Sequence, residues 1–594
     1  MHEKRPTIRE SIRNFSILSP YFYQSRIPLA IGLLSLLAVD LLQLVVPLII
    51  KRSVDDLAAG QANGRTLLLY AAAIMCIAIA IGGLRYVWRI GIFGLSRKIE
   101  MGLRNEMFSR MLTLSPSFFQ KNPTGDLMAR AVNDINAVRM ASGMGLVAMI
   151  DATVLGVASI AFMLSIDVRL TLICLIPGPF VVIMGRKLTR RMSVGFEKVQ
   201  QAFSGLTERV REGFTGIRII KANAREPWQF ERVRKEGEQY IKENMTLART
   251  MALFFPVMAV FTNLGLAIVL WMGGRLTISG SISPGDLVAF TNYLNIMAWP
   301  IMAMGWVANL IQRGGASLKR IRSVVEQMPE VEDGAIVLNP AEISGKIRFN
   351  NFSFRYDDQN EFILRGINLE IPPGQTAALV GRVGSGKSTL LSALPRLLTI
   401  PGGAVFIDQH DITSLSLKSL RKSMGFVTQD VFIFSDTVRN NVLMGRQHIK
   451  EGRVEEVLEL AQIWDEVSSL EKGLDTLVGE RGITLSGGQR QRLTIARALL
   501  EDPPVLIMDD ALSMVDSRTE EKILSNIIRA RAGKTTLITT HRIATLKSVE
   551  RILVMEKGEL LEDGDHGGLL AMGGIYSTIY ESKAIEAELE REAS

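Results

Sequence analysis

Six stretches of this chain stay apolar for about the length a helix needs to cross a bilayer, ~20 residues at a ~1.5 Å rise over a ~30 Å hydrocarbon core. They run roughly over 27–50, 67–88, 143–165, 170–185, 251–272 and 287–311, all in the first part of the sequence. The fourth is short and carries Pro177 and Pro179, so its ends are the least defined. The chain is 47% hydrophobic and 22% charged, and the charge crowds the second half. A membrane-embedded all-α part followed by a water-soluble part is the organisation this asymmetry predicts.

The connections between spans carry as much information as the spans. The first and second, third and fourth, and fifth and sixth are joined by short loops, whereas 89–139 and 186–249 are long, polar and helix-periodic. Such segments read as spanning helices that continue far beyond the bilayer. Both are rich in Lys and Arg, which marks the cytoplasmic side. An even number of spans then places both termini in the cytoplasm, with the plasma membrane as the site. Lys51, Arg52 and Arg65 in the first outer loop are the few dissenting charges.

Residues 1–25 mix acids, bases and aromatics with no cleavage site and do not read as a signal peptide. Residues 13–24 suggest an amphipathic helix lying on the membrane surface. The net charge of +8 comes from basic residues scattered among acids, which predicts no nucleic-acid partner. Cys76 and Cys174, the only cysteines, sit inside apolar runs and allow neither a disulfide framework nor a metal cluster. The expected layout is an interfacial segment over 1–25, a transmembrane domain over 26–320, a linker over 321–344, an α/β domain over 345–585 and a tail over 586–594. Strand-length apolar runs in the α/β part fall at 349–356, 376–380, 505–508, 536–539 and 552–555.

Gly381, Arg382, Val383, Gly384, Ser385, Gly386, Lys387, Ser388 and Thr389 contain the P-loop pattern, after an apolar strand and before a helix. Its glycines let backbone N–H groups curl around phosphates at a helix N-terminus. Lys387 can then reach the β- and γ-phosphates of ATP, and the Ser388 hydroxyl can ligate Mg²⁺. Asp509 ends the apolar run 505–508, the position of an acid that holds Mg²⁺ through water.

Residues 485–489, Leu-Ser-Gly-Gly-Gln, lie between these two motifs and resemble the signature of ATP-binding cassette (ABC) proteins. With six spans and one cassette the whole chain resembles an exporter-type half-transporter, in particular bacterial multidrug-resistance-like ones that pair as unlike subunits. The resemblance implies the ABC exporter fold and an α/β P-loop NTPase domain. It gives Tyr356 the role of stacking on adenine, and Gln429 that of touching Mg²⁺ and facing the membrane domain. Ser486, Gly487, Gly488 and Gln489 would face the nucleotide held by a second subunit. Asp516 would be the acid of the loop after Asp509, and His541 would contact the γ-phosphate. Nucleotide clamped between two subunits is why such a chain needs a partner.

One position departs from the family. The residue after Asp509 is normally Glu, a general base for the attacking water, and here it is Asp510. Its reach is shorter by about 1.5 Å, and a ~1 Å misplacement can cost ~100-fold in rate. The expectation is a site that binds ATP and turns over slowly, paired with a non-identical subunit carrying the Glu. A homodimer in which a backbone shift lets Asp510 act is the alternative.

Residues 118–134, with Gly125 and Asp126 opening a short helix, and 216–226, with Lys221 and Arg225, resemble the two coupling helices of ABC exporters. Asp40, Gln43 and Asp151 are polar residues inside spans, where they either line a path or play a structural part such as pairing with Arg85. Asn292, Tyr293, Asn295, Met297 and Trp299 suggest an adaptable lining, or ordinary bundle packing. The reading is ATP-driven export of a hydrophobic or amphipathic compound through a lipid membrane. Lipid flipping and a non-transporting regulatory ATPase are the rivals.

Overall fold

The structure, a computed structural model, describes residues 10, 13–356, 361–479, 485–540 and 542–593. It forms two compact units, Met1–Leu112 with Pro123–Gln327, and Thr113–Asn122 with Met328–Ser594.

The first unit is helical. Its main helices are α1 (Arg26–Ala58), α2 (Gly64–Trp88), α3 (Leu146–Ile166), α4 (Pro177–Thr215), α5 (Glu226–Ile268) and α6 (Pro284–Val325). Counting the π-turns that join consecutive segments, helix runs unbroken over Gly64–Thr113, 50 residues, or ~75 Å at ~1.5 Å per residue. The bundle helices therefore extend well past bilayer thickness. Among the described residues, five of these continuous helices are long and apolar enough to cross a membrane. The remaining expected span, 251–272, is helical throughout in α5 and the following π-turn. The short fourth span lies in the continuous run Val168–Thr215, in which Ile176 joins Val168–Leu175 to α4 with helical backbone angles and Pro177 opens α4.

Local sequence explains the starts of these helices. Asn63 caps α2, accepting the Thr66 N–H at 2.9 Å while Thr66 Oγ1 accepts the Asn63 N–H. Ser283 and Asp286 form the same box at α6, with Pro284 at its first position. The Asp55 carboxylate on α1 accepts the Gly285 N–H at 2.7 Å, and Lys51 pairs with Asp286 at 2.5 Å. A Cβ on Gly285 would stand 2.2 Å from the Lys51 carbonyl, so glycine permits this close crossing. Lys51, one of the dissenting charges, is thus used to tie α1 to α6.

The N-terminal segment is helical and packs on the bundle. Phe15–Leu18 and Ser19–Gln24 form short helices whose Leu18 is fully buried against Leu95, Ile99, Ile135 and Leu318. Phe15, Ile17, Tyr21 and Phe22 pack half-buried beside Leu18, since the extended bundle helices present apolar surface there. Gly102 leaves room for Tyr21, whose ring would lie 2.2 Å from a Cβ there.

The second unit contains β1 (Ile347–Phe354), β2 (Leu364–Ile371), β3 (Thr376–Val380), β4 (Val405–Ile407), β5 (His410–Asp411), β6 (Met424–Val427), β7 (Asp436–Thr437), β8 (Leu477–Val478), β9 (Val505–Met508), β10 (Thr535–Thr539), β11 (Arg551–Glu556) and β12 (Glu559–Gly564). One sheet has the order β2-β1-β4-β5, a second β12-β11-β3-β10-β9-β6, and β7 pairs with β8. β3, β9 and β10 are buried at every residue, as befits parallel strands covered on both faces. The first strand runs two residues earlier than its apolar run and ends at Phe354, which leaves Tyr356 beyond it.

Candidate nucleotide site

β6, β9, β10 and β3 are neighbours and run parallel, so their carboxyl ends open on one edge of the sheet. That edge is where open α/β sheets bind ligands. The P-loop follows β3, Gln429 follows β6 and Asp509 follows β9 directly. His541, which comes after β10, lies outside the described residues.

Gly384 and Gly386 have φ of 82° and 98°, left-handed values that side chains rarely adopt. A Cβ on Gly386 would come 2.7 Å from Leu364, whereas Gly384 faces open space. Lys387 begins the helix α7 (Lys387–Ala393) and is 9% exposed. Its Nζ donates to the carbonyls of Gly381 at 2.6 Å and Arg382 at 3.0 Å. Burial lowers the Lys387 pKa, and the charges of Asp509 and Asp510 oppose that shift. A buried ammonium in a glycine loop at a helix N-terminus fits a polyphosphate.

Ser385 is buried, Thr389 half-buried, and Ser388, Arg382, Val383 and Gln429 are exposed on the open edge. Tyr356 is half-buried, edge-on to Phe354 at 5.0 Å.

Asp509 is buried beside Lys387, and its Oδ1 accepts the Thr539 hydroxyl at 2.9 Å. The same hydroxyl oxygen accepts the Asp510 N–H at 2.6 Å. Asp510 has φ of 48°, a left-handed conformation that Asp tolerates better than most residues. Burial raises the Asp510 pKa, as does the Asp509 charge, against Ser513, Arg542 and Lys387. The residues fit a divalent cation held by one carboxylate, with phosphate oxygens completing its shell.

The signature opens α8 (Gly487–Leu499). Ser486 caps it: its hydroxyl accepts the Gln489 N–H at 3.2 Å, and Gln489 Oε1 accepts the Ser486 N–H at 2.8 Å. The Gln489 amide also donates to Glu466 at 2.6 Å. Gly487 and Gly488 lie against Met514, where a Cβ would come 2.7 Å from its sulfur and 2.8 Å from its carbonyl oxygen, respectively. Asp516 caps α9 (Ser517–Ala530), accepting the Thr519 N–H at 3.0 Å.

Two anchors escape sequence reading. Gln491, fully buried on α8, donates to the Asp510 carbonyl at 3.3 Å and Ser513 Oγ at 3.0 Å, and accepts the Met514 N–H at 2.8 Å. Arg542 donates to Ser513 O at 2.8 Å and to Val515 O at 2.6 Å, and pairs with the buried Glu520. Thr545 holds the other Glu520 oxygen at 2.6 Å. A polar residue at an apolar helix position is the one signal that could have marked Gln491.

In the first excursion one short helix spans Pro116–Lys121, and Gly125 and Asp126 lie in the first turn of Thr124–Ala129, from which helix runs on to 166. Proline at 123 and the Asp126–Arg130 pair at 2.6 Å start that helix. Ser115 donates to Glu330 at 2.9 Å within the second unit. Lys221 lies in the last turn of the short helix Ile217–Ala222 and Arg225 precedes α5, both exposed. On α6, Tyr293 and Met297 are buried, Tyr293 donating to the Leu44 carbonyl at 2.9 Å. Asn295 and Trp299, one turn apart, are exposed. Asp40 is buried, with Gln43 and Asp151 half-buried.

The fold and site define a membrane-spanning protein with its own P-loop ATPase domain. Family profiles agree: residues 29–301 match the ABC transporter transmembrane region and 364–513 the ABC transporter domain. The chain is 37% identical over 584 residues, 98% of each chain, to the multidrug resistance-like ATP-binding protein MdlA of Escherichia coli (strain K12). It is 33% identical to the ATP-dependent lipid A-core flippase of Syntrophus aciditrophicus (strain SB), covering 95% of this chain and 93% of that one. A solved bacterial Atm1-family ABC exporter with ATP bound superposes with a TM-score of 0.76 at 26% identity, covering 96% of this chain and all of the other. The chain belongs to the ABC exporter family. It is an ABC-type ATPase that drives export across a membrane.

Proposed function

We propose that this chain exports hydrophobic or amphipathic compounds across the plasma membrane as one half of a heterodimer, with cassette and both termini in the cytoplasm. The observation that carries the asymmetry is Asp510 in place of a longer base. Mg²⁺, when bound with ATP, neutralises phosphate charge, and Ser388, Gln429 and Asp509 are the residues that would hold it. Lys387 would neutralise the phosphates, Tyr356 would stack on adenine, and His541 would touch the γ-phosphate. Asp510 would orient water poorly. Ser486, Gly487, Gly488 and Gln489 would complete the partner's site, excluding water there. Gly125, Asp126, Lys221 and Arg225 would pass cassette closure to the bundle, and Gln43, Asn295 and Trp299 would line the path.

The resemblance to a lipid A-core flippase supports a second reading, in which the cargo is a lipid; nanodisc ATPase stimulated by lipids rather than drugs separates the two. The heterodimer is tested by ATPase activity of the full-length chain purified alone and with a co-expressed second half-transporter. The chain alone should be slow, Asp510→Asn should change it little and Asp510→Glu should raise it. Fast hydrolysis by the chain alone, abolished in Asp510→Asn, would establish a homodimer with Asp510 as its base.

A further inference from the structure

Three ionisable side chains that nucleotide chemistry does not use lie within electrostatic reach of one another in the helical unit. Asp40 stands on α1, Arg85 on α2 and Asp151 on α3. The charges of Asp151 and Arg85 both act on Asp40, and that of Arg85 acts on Asp151. Helical spacing sets the trio between two apolar layers. Leu36 and Val147, each one turn before an aspartate, are buried in a cluster that includes Trp88, one turn from Arg85. Leu44 and Leu155, each one turn after, are buried in another.

The polar atoms of this layer are not satisfied. Asp40 is 1% exposed, yet its Oδ2 has no hydrogen-bond partner among the described residues. The same holds for Asp151 Oδ1 and for the indole N–H of Trp88, which is 8% exposed. Buried polar groups in native proteins are nearly always paired, and unpaired carboxylates within a bilayer mark ion or substrate sites. One guanidinium can balance only one of the two carboxyl groups. α6, packed against α1 and α3, brings no charge between Asp286 and Arg313. Arg89, the next basic residue on from Arg85, lies over the Trp88 ring at 5.7 Å. Among the described residues no cluster of three acids, histidines or cysteines could hold a metal ion, and divalent cations need six or so oxygens.

We infer that Asp40 and Asp151 form a binding site for one monovalent cation, the ammonium-type headgroup of an apolar compound whose body lies along the flanking leucine and valine layers. Arg85, the exposed member of the trio, competes for the same carboxylates and yields to the incoming cation. The significance for cargo rests on the export reading; the site itself is tested without nucleotide, so the two can fail separately.

The experiment is equilibrium binding of tetraphenylphosphonium to the full-length chain in lipid nanodiscs, with neutral triphenylphosphine oxide as comparison. The phosphonium should bind saturably, and Asp40→Asn and Asp151→Asn should each weaken it about tenfold or more, a ~1.4 kcal/mol loss. Arg85→Gln, at an exposed position that leaves the cores intact, should tighten it, which a purely structural trio would not do. Competition by NaCl or KCl in the wild type but not in Asp40→Asn would keep the site and make its occupant an alkali ion. Equal binding of the neutral compound with unchanged phosphonium affinity in Asp40→Asn, or weaker binding in Arg85→Gln, overturns the inference. Intact cation binding with no ATP-dependent uptake into inside-out vesicles would overturn export and leave the site standing.

Discussion

Thr539 and Asp509 share a 2.9 Å hydrogen bond across neighbouring parallel strands, the hydroxyl donating to the carboxylate. The hydroxyl oxygen also receives the Asp510 N–H, so one side chain orients two consecutive acids. Thr539→Val removes donor and acceptor while keeping shape. Leaving those buried groups unpaired should cost about 1–3 kcal/mol, read by thermal denaturation of the full chain, with weaker Mg²⁺-dependent ATP binding. Thr539→Ser should restore both.

The two signature glycines should respond differently to alanine. At Gly487 the added methyl meets the Met514 sulfur, at the end of an exposed, flexible side chain. That clash is relieved by rotation, and alanine in a helix gains about 0.5–1 kcal/mol over glycine. At Gly488 the methyl meets the Met514 backbone carbonyl, which cannot move without displacing the segment held by Gln491. Gly487→Ala should leave the melting temperature unchanged or raised, and Gly488→Ala should lower both it and ATPase activity.

Glu520 is 1% exposed and holds Arg542 and Thr545. Burial raises its pKa, against the hydrogen bond from Thr545 and the Arg542 charge. Glu520→Ala should destabilise the cassette by about 1–3 kcal/mol, since it frees the arginine that anchors the Ser513 and Val515 carbonyls. Limited proteolysis near residue 514 should speed up in parallel.

Glu501 gives a pH signature. Burial raises its pKa, but Arg446 at 2.6 Å and then His448 at 3.1 Å outweigh this, and the net value falls below the ordinary 4.5. A carboxylate depressed in the folded state stabilises fully above its unfolded pKa, and that stability is lost as pH falls through the folded value. The stability difference between wild type and Glu501→Gln, measured by denaturation, should therefore be constant at neutral pH and shrink below about pH 4.5.

The sequence by itself determined the membrane spans, the excursions beyond them, the P-loop, Asp509, the signature and the short Asp510. Each of these is written in neighbouring residues, because a span is a length of apolar chain and a phosphate loop is a run of glycines before a helix. Only tertiary structure decided what distant residues do to one another. Thr539 is an ordinary strand threonine until β10 lies beside β9, and Gln491 is an unremarked helix residue until the loop at Met514 folds over it. Leu18 of the N-terminal segment likewise finds its buried place only against Leu95 and Ile99, more than seventy residues away. Asp40, Arg85 and Asp151 become one charged layer because three helices bring them to a common height, and no local pattern records that register.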